Sequence, residues 1–105
     1  MATAPQHLSV EAKQWWIDLH NEYSLDDPGG LLLLQTACEA FERMRDAQNI
    51  IKKEGATIKD RFEQIKAHPM LTVERDARSQ MIQSLKALNL DVEPLRDGVG
   101  RPPGS

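Results

Sequence analysis

Seven cationic side chains fall within 24 residues in the middle of this chain: Arg43, Arg45, Lys52, Lys53, Lys59, Arg61 and Lys66. The last five crowd one helix end and the segment after it, with the aromatic Phe62 beside Arg61. Ammonium and guanidinium groups in such a cluster suit phosphate contact, which weakens steeply as salt rises. The plainer reading is that Lys52 and Lys53 complement a helix dipole at its C-terminus and that the others are solvated loop charges. Other chemistry is sparse. His7, His20 and His68 stand far apart, with no second ligand at metal spacing. His68 precedes Pro69, a position suited to a helix entrance. Asp26-Asp27 could serve as acid and base, but carboxylates before Pro28 read better as a helix cap. Gly29-Gly30 lacks the Gly-Lys-Ser/Thr and the preceding strand of a phosphate loop. Cys38 is the only cysteine and sits in an apolar pattern, as a small buried hydrophobe does. These residues imply no catalysis, no cofactor and no metal.

Charge is unevenly spread around a net of −3. Residues 1–42 hold one basic and seven acidic side chains, net −6; residues 43–66 hold seven basic and four acidic, net +3. One surface can face an anion while another repels it. The longest apolar run, Leu31-Leu32-Leu33-Leu34, is far below the ~18 residues of a membrane span. No basic and apolar signal segment opens the chain. Cytoplasmic residence without a membrane partner is the expectation.

The elements that must position these residues are mainly helical. A flexible lead is expected over 1–7, a helical domain over 8–90 and a flexible tail over 91–105. Ser9 is a good N-cap for a first helix from Val10 to about Tyr23, where Ala12, Trp16, Leu19 and Tyr23 share a face. Trp15 lies about 100° off that stripe and should be partly exposed, or buried against something other than this domain's own core. Asp27-Pro28 reads as N-cap and first helical residue of a second helix, running to Glu54 with Gly55 as a left-handed stop. That helix is about 40 Å long at ~1.5 Å per residue.

Leu31, Leu34, Cys38, Phe41, Met44, Gln48 and Ile51 trace one stripe on the second helix. Leu32, Leu33, Thr36, Ala40, Ala47 and Ile50 trace another. A surface helix needs one buried face, so the second is assigned to a sister subunit, with Trp15, Leu32, Leu33, Ala40, Ala47 and Ile50 as the interface. Thr57-Ile58-Lys59 and Gln64-Ile65-Lys66 flank a polar turn and predict a small hairpin or loop. Pro69 opens a third helix to about Leu88, with Met70, Val73, Ala77, Met81, Leu85 and Leu88 buried and Glu74–Arg78 as an exposed pair. In the tail, Gly100-Arg101-Pro102 is similar to the heart of an AT-hook, whose arginine lies in the minor groove.

Three stretches together resemble the small subunits of tailed-phage terminases. The first holds Leu8-Ser9, Glu11-Ala12-Lys13, Trp16 and Leu19. The second holds Cys38-Glu39-Ala40-Phe41, Arg43 and Asp46-Ala47, ending at Glu54-Gly55. The third holds Asp60-Arg61-Phe62, Gln64, Lys66, His68-Pro69, Leu71 and Arg75-Asp76-Ala77, then Leu85, Leu88, Leu90 and the Gly-Arg-Pro tail. The resemblance spans Leu8 to Pro103. It implies a non-catalytic protein that recognises double-stranded viral DNA, assembles into a ring-like homo-oligomer and regulates a terminase large subunit. The DNA-binding residues then expected are Lys52, Lys53, Lys59, Arg61, Lys66, Arg96 and Arg101. Two departures stand out: Glu63 occupies a position where similar chains tend to have glycine, and no helix-turn-helix is evident. The alternatives are a protein-binding helical adaptor or a small transcription regulator without a packaging role.

Overall fold

In a computed structural model, which describes residues 3–89, the protein is mainly helical, with 68% of the described residues in three helices. The order is α1 (Val10–Tyr23), α2 (Pro28–Glu54), β1 (Thr57–Lys59), β2 (Ile65–Ala67) and α3 (Met70–Ala87). Both predicted caps are made. The Ser9 hydroxyl accepts from the Ala12 N–H at 3.2 Å, and the Asp27 carboxylate accepts from the Gly30 N–H at 2.8 Å. Ser24 ends α1 in a left-handed conformation, φ 51°, which turns the chain sharply into α2. Gly55 stops α2 at φ 91° and ψ 163°, a positive φ as expected but outside the left-handed helical region. Its N–H still donates to Ile51 O at 2.7 Å. No described helix is long and apolar enough to cross a membrane.

α2 is the spine, with α1 and α3 both leaning on it. Its buried residues, Gly30, Leu34, Ala37, Cys38, Ala40, Phe41, Met44 and Ala47, cover about half its circumference at ~100° per residue. One flank of that arc meets α1 in a core of Leu8, Ala12, Trp16, Leu34, Cys38 and Phe41, to which Met44 and Ala77 belong. The other flank, rich in alanine, faces α3. Small side chains there let two helix backbones approach, and Arg43 reaches across to Gln80 at 2.7 Å. Residues 3–7, read from sequence as part of a loose lead, are anchored to α2: His7 meets Glu39 at 2.7 Å, and Ala4 lies against the core.

Three sequence expectations shift. The second face of α2 is not an open apolar stripe. Ala40 and Ala47, 0% and 1% exposed, are closed off within the chain, because α3 takes the place assigned to a sister copy. Val73 is exposed while Glu74 is buried, so the Glu74–Arg78 pair forms but its acidic partner faces inward. A carboxylate tolerates that place because Gln48 on α2 donates to it at 2.9 Å and Arg78 pairs with it. The Gln48 amide foremost, then Arg78, holds the Glu74 carboxyl below the usual carboxylate range. The hairpin forms, but its second strand is Ile65–Ala67, one residue later than expected.

Candidate nucleic-acid interface

The C-terminal end of α2, the hairpin and the start of α3 meet at His68. Its side chain is 7% exposed. The ring Nδ1 accepts from the Met70 N–H at 3.0 Å, so the ring proton sits on Nε2, which donates to Glu54 Oε1 at 2.7 Å. The His68 N–H also donates to Ala56 O at 2.8 Å. One histidine therefore ties the last residue of α2 to the first turn of α3 and closes the base of the hairpin. This is the helix-entrance role that the His68-Pro69 order suggested.

Beyond that clamp the hairpin stands clear of the helices, with every strand residue exposed. The antiparallel register pairs Thr57 with Ala67, Ile58 with Lys66 and Lys59 with Ile65. Directly opposed residues share a face, so Lys59 and Lys66 lie on opposite faces of the ribbon. The turn is tightly bonded. Asp60 Oδ1 accepts from the N–H groups of Phe62 at 2.8 Å and Gln64 at 3.0 Å, and the two backbones exchange Asp60 N–H to Gln64 O and Glu63 N–H to Asp60 O, both at 3.0 Å. The Gln64 N–H, foremost among these, holds the Asp60 carboxyl below its ordinary range. Glu63 sits at φ 66°, a conformation that costs an L-residue roughly 1–2 kcal/mol and a glycine nothing. That is the physical reason a glycine would be at home there.

The five central cations are thus brought to one end of the molecule, in unequal states. Lys59 pairs with Glu63 at 3.6 Å and Lys66 with Asp60 at 3.3 Å. All four groups except Asp60 are largely exposed, and exposed pairs are worth little, so a phosphate can displace the carboxylate. The Arg61 guanidinium lies 5.1 Å from the Phe62 ring centroid. Among the described residues, Lys52, Lys53 and Arg61 have no carboxylate at ion-pair distance, and all three are exposed. Arg43 and Arg45 are spent on the fold: Arg45 pairs with Glu11 at 3.1 Å and lies over Phe41. Arg96 and Arg101, with the Gly-Arg-Pro motif, lie outside the described residues.

The predicted self-association residues scatter. Trp15 is 48% exposed and meets Phe41 edge to face, with centroids 6.4 Å apart. It lines an apolar groove of 320 Å³ with Leu19, Ala37, Cys38, Phe41, Met81 and Leu85. This groove, set between the two helices that flank α2, was not foreseen, because its walls come from three elements. Leu32 and Ile50 are exposed, but Thr36, Glu39, Arg43 and Asp46 separate them along the helix. Leu33 is half-buried beside α3. Burial pushes the Cys38 thiol up to about 12, helped by Glu39, which leaves it protonated and inert. Among the described residues no three histidine, cysteine or acidic side chains are grouped to hold a metal.

These features describe a small helical protein with a cationic, projecting end. The family model of phage terminase small subunits matches residues 12–94, while no curated protein and no solved structure matches the chain. The chain belongs to the phage terminase small-subunit family. Membership places it in phage DNA packaging in general, in a family whose members are generally not catalysts and which is associated with a terminase large subunit and DNA.

Proposed function

We propose that this chain is the non-catalytic recognition and regulatory subunit of a phage packaging machine, working in the host cytoplasm. It binds double-stranded DNA through the end formed by Lys52, Lys53, Lys59, Arg61 and Lys66, with Arg96 and Arg101 as further contacts from the tail. It engages the terminase large subunit and acts as a homo-oligomer, a ring in the simplest closed form. The supporting observation for the DNA contact is that Lys52 and Lys53, unpaired among the described residues, stand at the same end as the projecting basic hairpin. Of the self-association residues, Trp15, Leu32, Leu33 and Ile50 remain reachable by a sister copy, while Ala40 and Ala47 do not.

Duplex binding followed by fluorescence anisotropy across a salt series tests the DNA contact. Wild-type affinity should fall steeply between 50 and 200 mM salt, on the order of tenfold or more for a few phosphate contacts. Lys52→Glu with Lys53→Glu should weaken binding at every salt concentration. A protein-binding adaptor without DNA contact is the second reading, favoured by the apolar groove beside Trp15. Under that reading the double charge reversal leaves activity untouched, and Trp15→Ala removes it.

A further inference from the structure

The tip of the hairpin holds an aromatic ring in water at some expense. Phe62 is 68% exposed, in a turn fixed by four hydrogen bonds and by a left-handed Glu63. Local strain of that kind persists where surrounding structure over-determines it, and it clusters at binding surfaces. The neighbouring groups narrow the partner. Lys59 and Lys66 lie on the two faces of the ribbon, Arg61 lies beside the ring, and Ile65 is 70% exposed behind it. Cations on both sides of a projecting aromatic suit a polyanion with an apolar interior, which is a stacked nucleic acid.

We infer that Phe62 is a wedge that enters the minor groove of duplex DNA and partly unstacks one base step, with Arg61, Lys59 and Lys66 on the flanking phosphates. This deepens the DNA reading above and rests on it. The dimensions favour insertion by the tip. A minor groove ~6 Å wide cannot admit two strands whose backbones alone lie ~4.8 Å apart, but it admits one side chain. The strands are three residues each, about 10 Å of ribbon at ~3.4 Å per residue, which is short for lying along a major groove. An apolar side chain levered between bases kinks the duplex, and the bend brings more phosphate to the protein's cations. On insertion the Arg61 guanidinium leaves the ring face for a phosphate, and the Lys59 and Lys66 ammonium groups exchange their carboxylates for phosphates.

The test uses the full chain and a duplex carrying 2-aminopurine within the bound region, with end-to-end energy transfer reporting the bend. Wild type should brighten the 2-aminopurine and shorten the duplex. Phe62→Ala should abolish both signals and weaken binding roughly tenfold, in line with the loss of one aromatic–base contact. Phe62→Leu keeps an apolar wedge and should retain most of the bend. Lys52→Gln with Lys53→Gln should instead lower the salt slope by about 2 while leaving the bend. Phe62 is largely exposed, so both Phe62 variants should melt with wild type. Duplex binding without unstacking, or a Phe62→Ala protein that still bends DNA, would overturn the wedge and leave the DNA reading standing. A wild-type protein that binds no duplex at any salt overturns both. Loss of large-subunit binding in Phe62→Ala, with duplex stacking untouched by wild type, would reassign the tip to a protein contact.

Discussion

The two ends of this molecule are held by different forces. The helical part is closed by apolar packing on both flanks of α2, with Leu34 fully buried and Trp16 4% exposed. The inward carboxylate of Glu74 is satisfied by Gln48 across the α2–α3 seam and by Arg78 on its own helix. The hairpin buries none of its strand side chains. Backbone hydrogen bonds, one aspartate and the His68 clamp hold it. A two-stranded ribbon is marginal in water by itself, so the tip depends on those few polar contacts. The lesson is a separation of tasks: side chains in the helices maintain the fold, and side chains on the hairpin are free to meet something else.

The two ends should differ most in their response to truncation of a core side chain. Leu34→Ala should cost about 3 kcal/mol of global stability, read as a lower denaturation midpoint, whereas Phe62→Ala should stay within ~0.5 kcal/mol of wild type. Equal losses at the two sites would end the separation. Ala40→Leu comes next. It overfills the seam where α3 leans on α2 and should cost about 1–3 kcal/mol. Were Ala40 instead an open contact for a sister copy, the change would alter mass by light scattering and spare the melting curve.

Glu63→Gly should act locally. It removes the left-handed penalty and slows hydrogen exchange of the Gln64 amide by roughly fivefold or more, from ~1–2 kcal/mol of relieved strain, with little change in global melting. The smallest effect is acidic. Asp60 has a depressed carboxyl in the folded hairpin, so its contribution is fully present above an unfolded pKa of ~3.9 and is lost as pH falls through the lower folded value. The protection factor at Gln64, its exchange rate set against that of an unfolded chain at the same pH, should therefore be steady from neutral pH to about pH 4 and then fall before the helices unfold.

Local signals were well written in the sequence. Ser9 and Asp27 mark helix starts because a side-chain oxygen must satisfy a free N–H, and both do. β-branched residues around a polar turn announced the hairpin. What escaped is what depends on distance along the chain. The place of Glu74 is decided by Gln48, 26 residues earlier, and a helical wheel favours Val73 in its stead. Ala40 and Ala47 read as surplus only until α3 is seen to return over them. The pairing of Lys59 and Lys66 with turn carboxylates depends on the strand register, which fixes how far the basic cluster is already neutralised. The family was legible through joint order and spacing, where no single motif sufficed, and the match over 12–94 agrees with it.

The hairpin end, and not the acidic helical end, is the proposed place of contact with DNA. Hydrogen exchange of the whole chain with and without duplex, followed by mass spectrometry, addresses this directly. Protection should concentrate in peptides covering residues 52–66 and be absent from α1. Protection centred on α1 and the first half of α2, with the hairpin exchanging as freely as before, would contradict it.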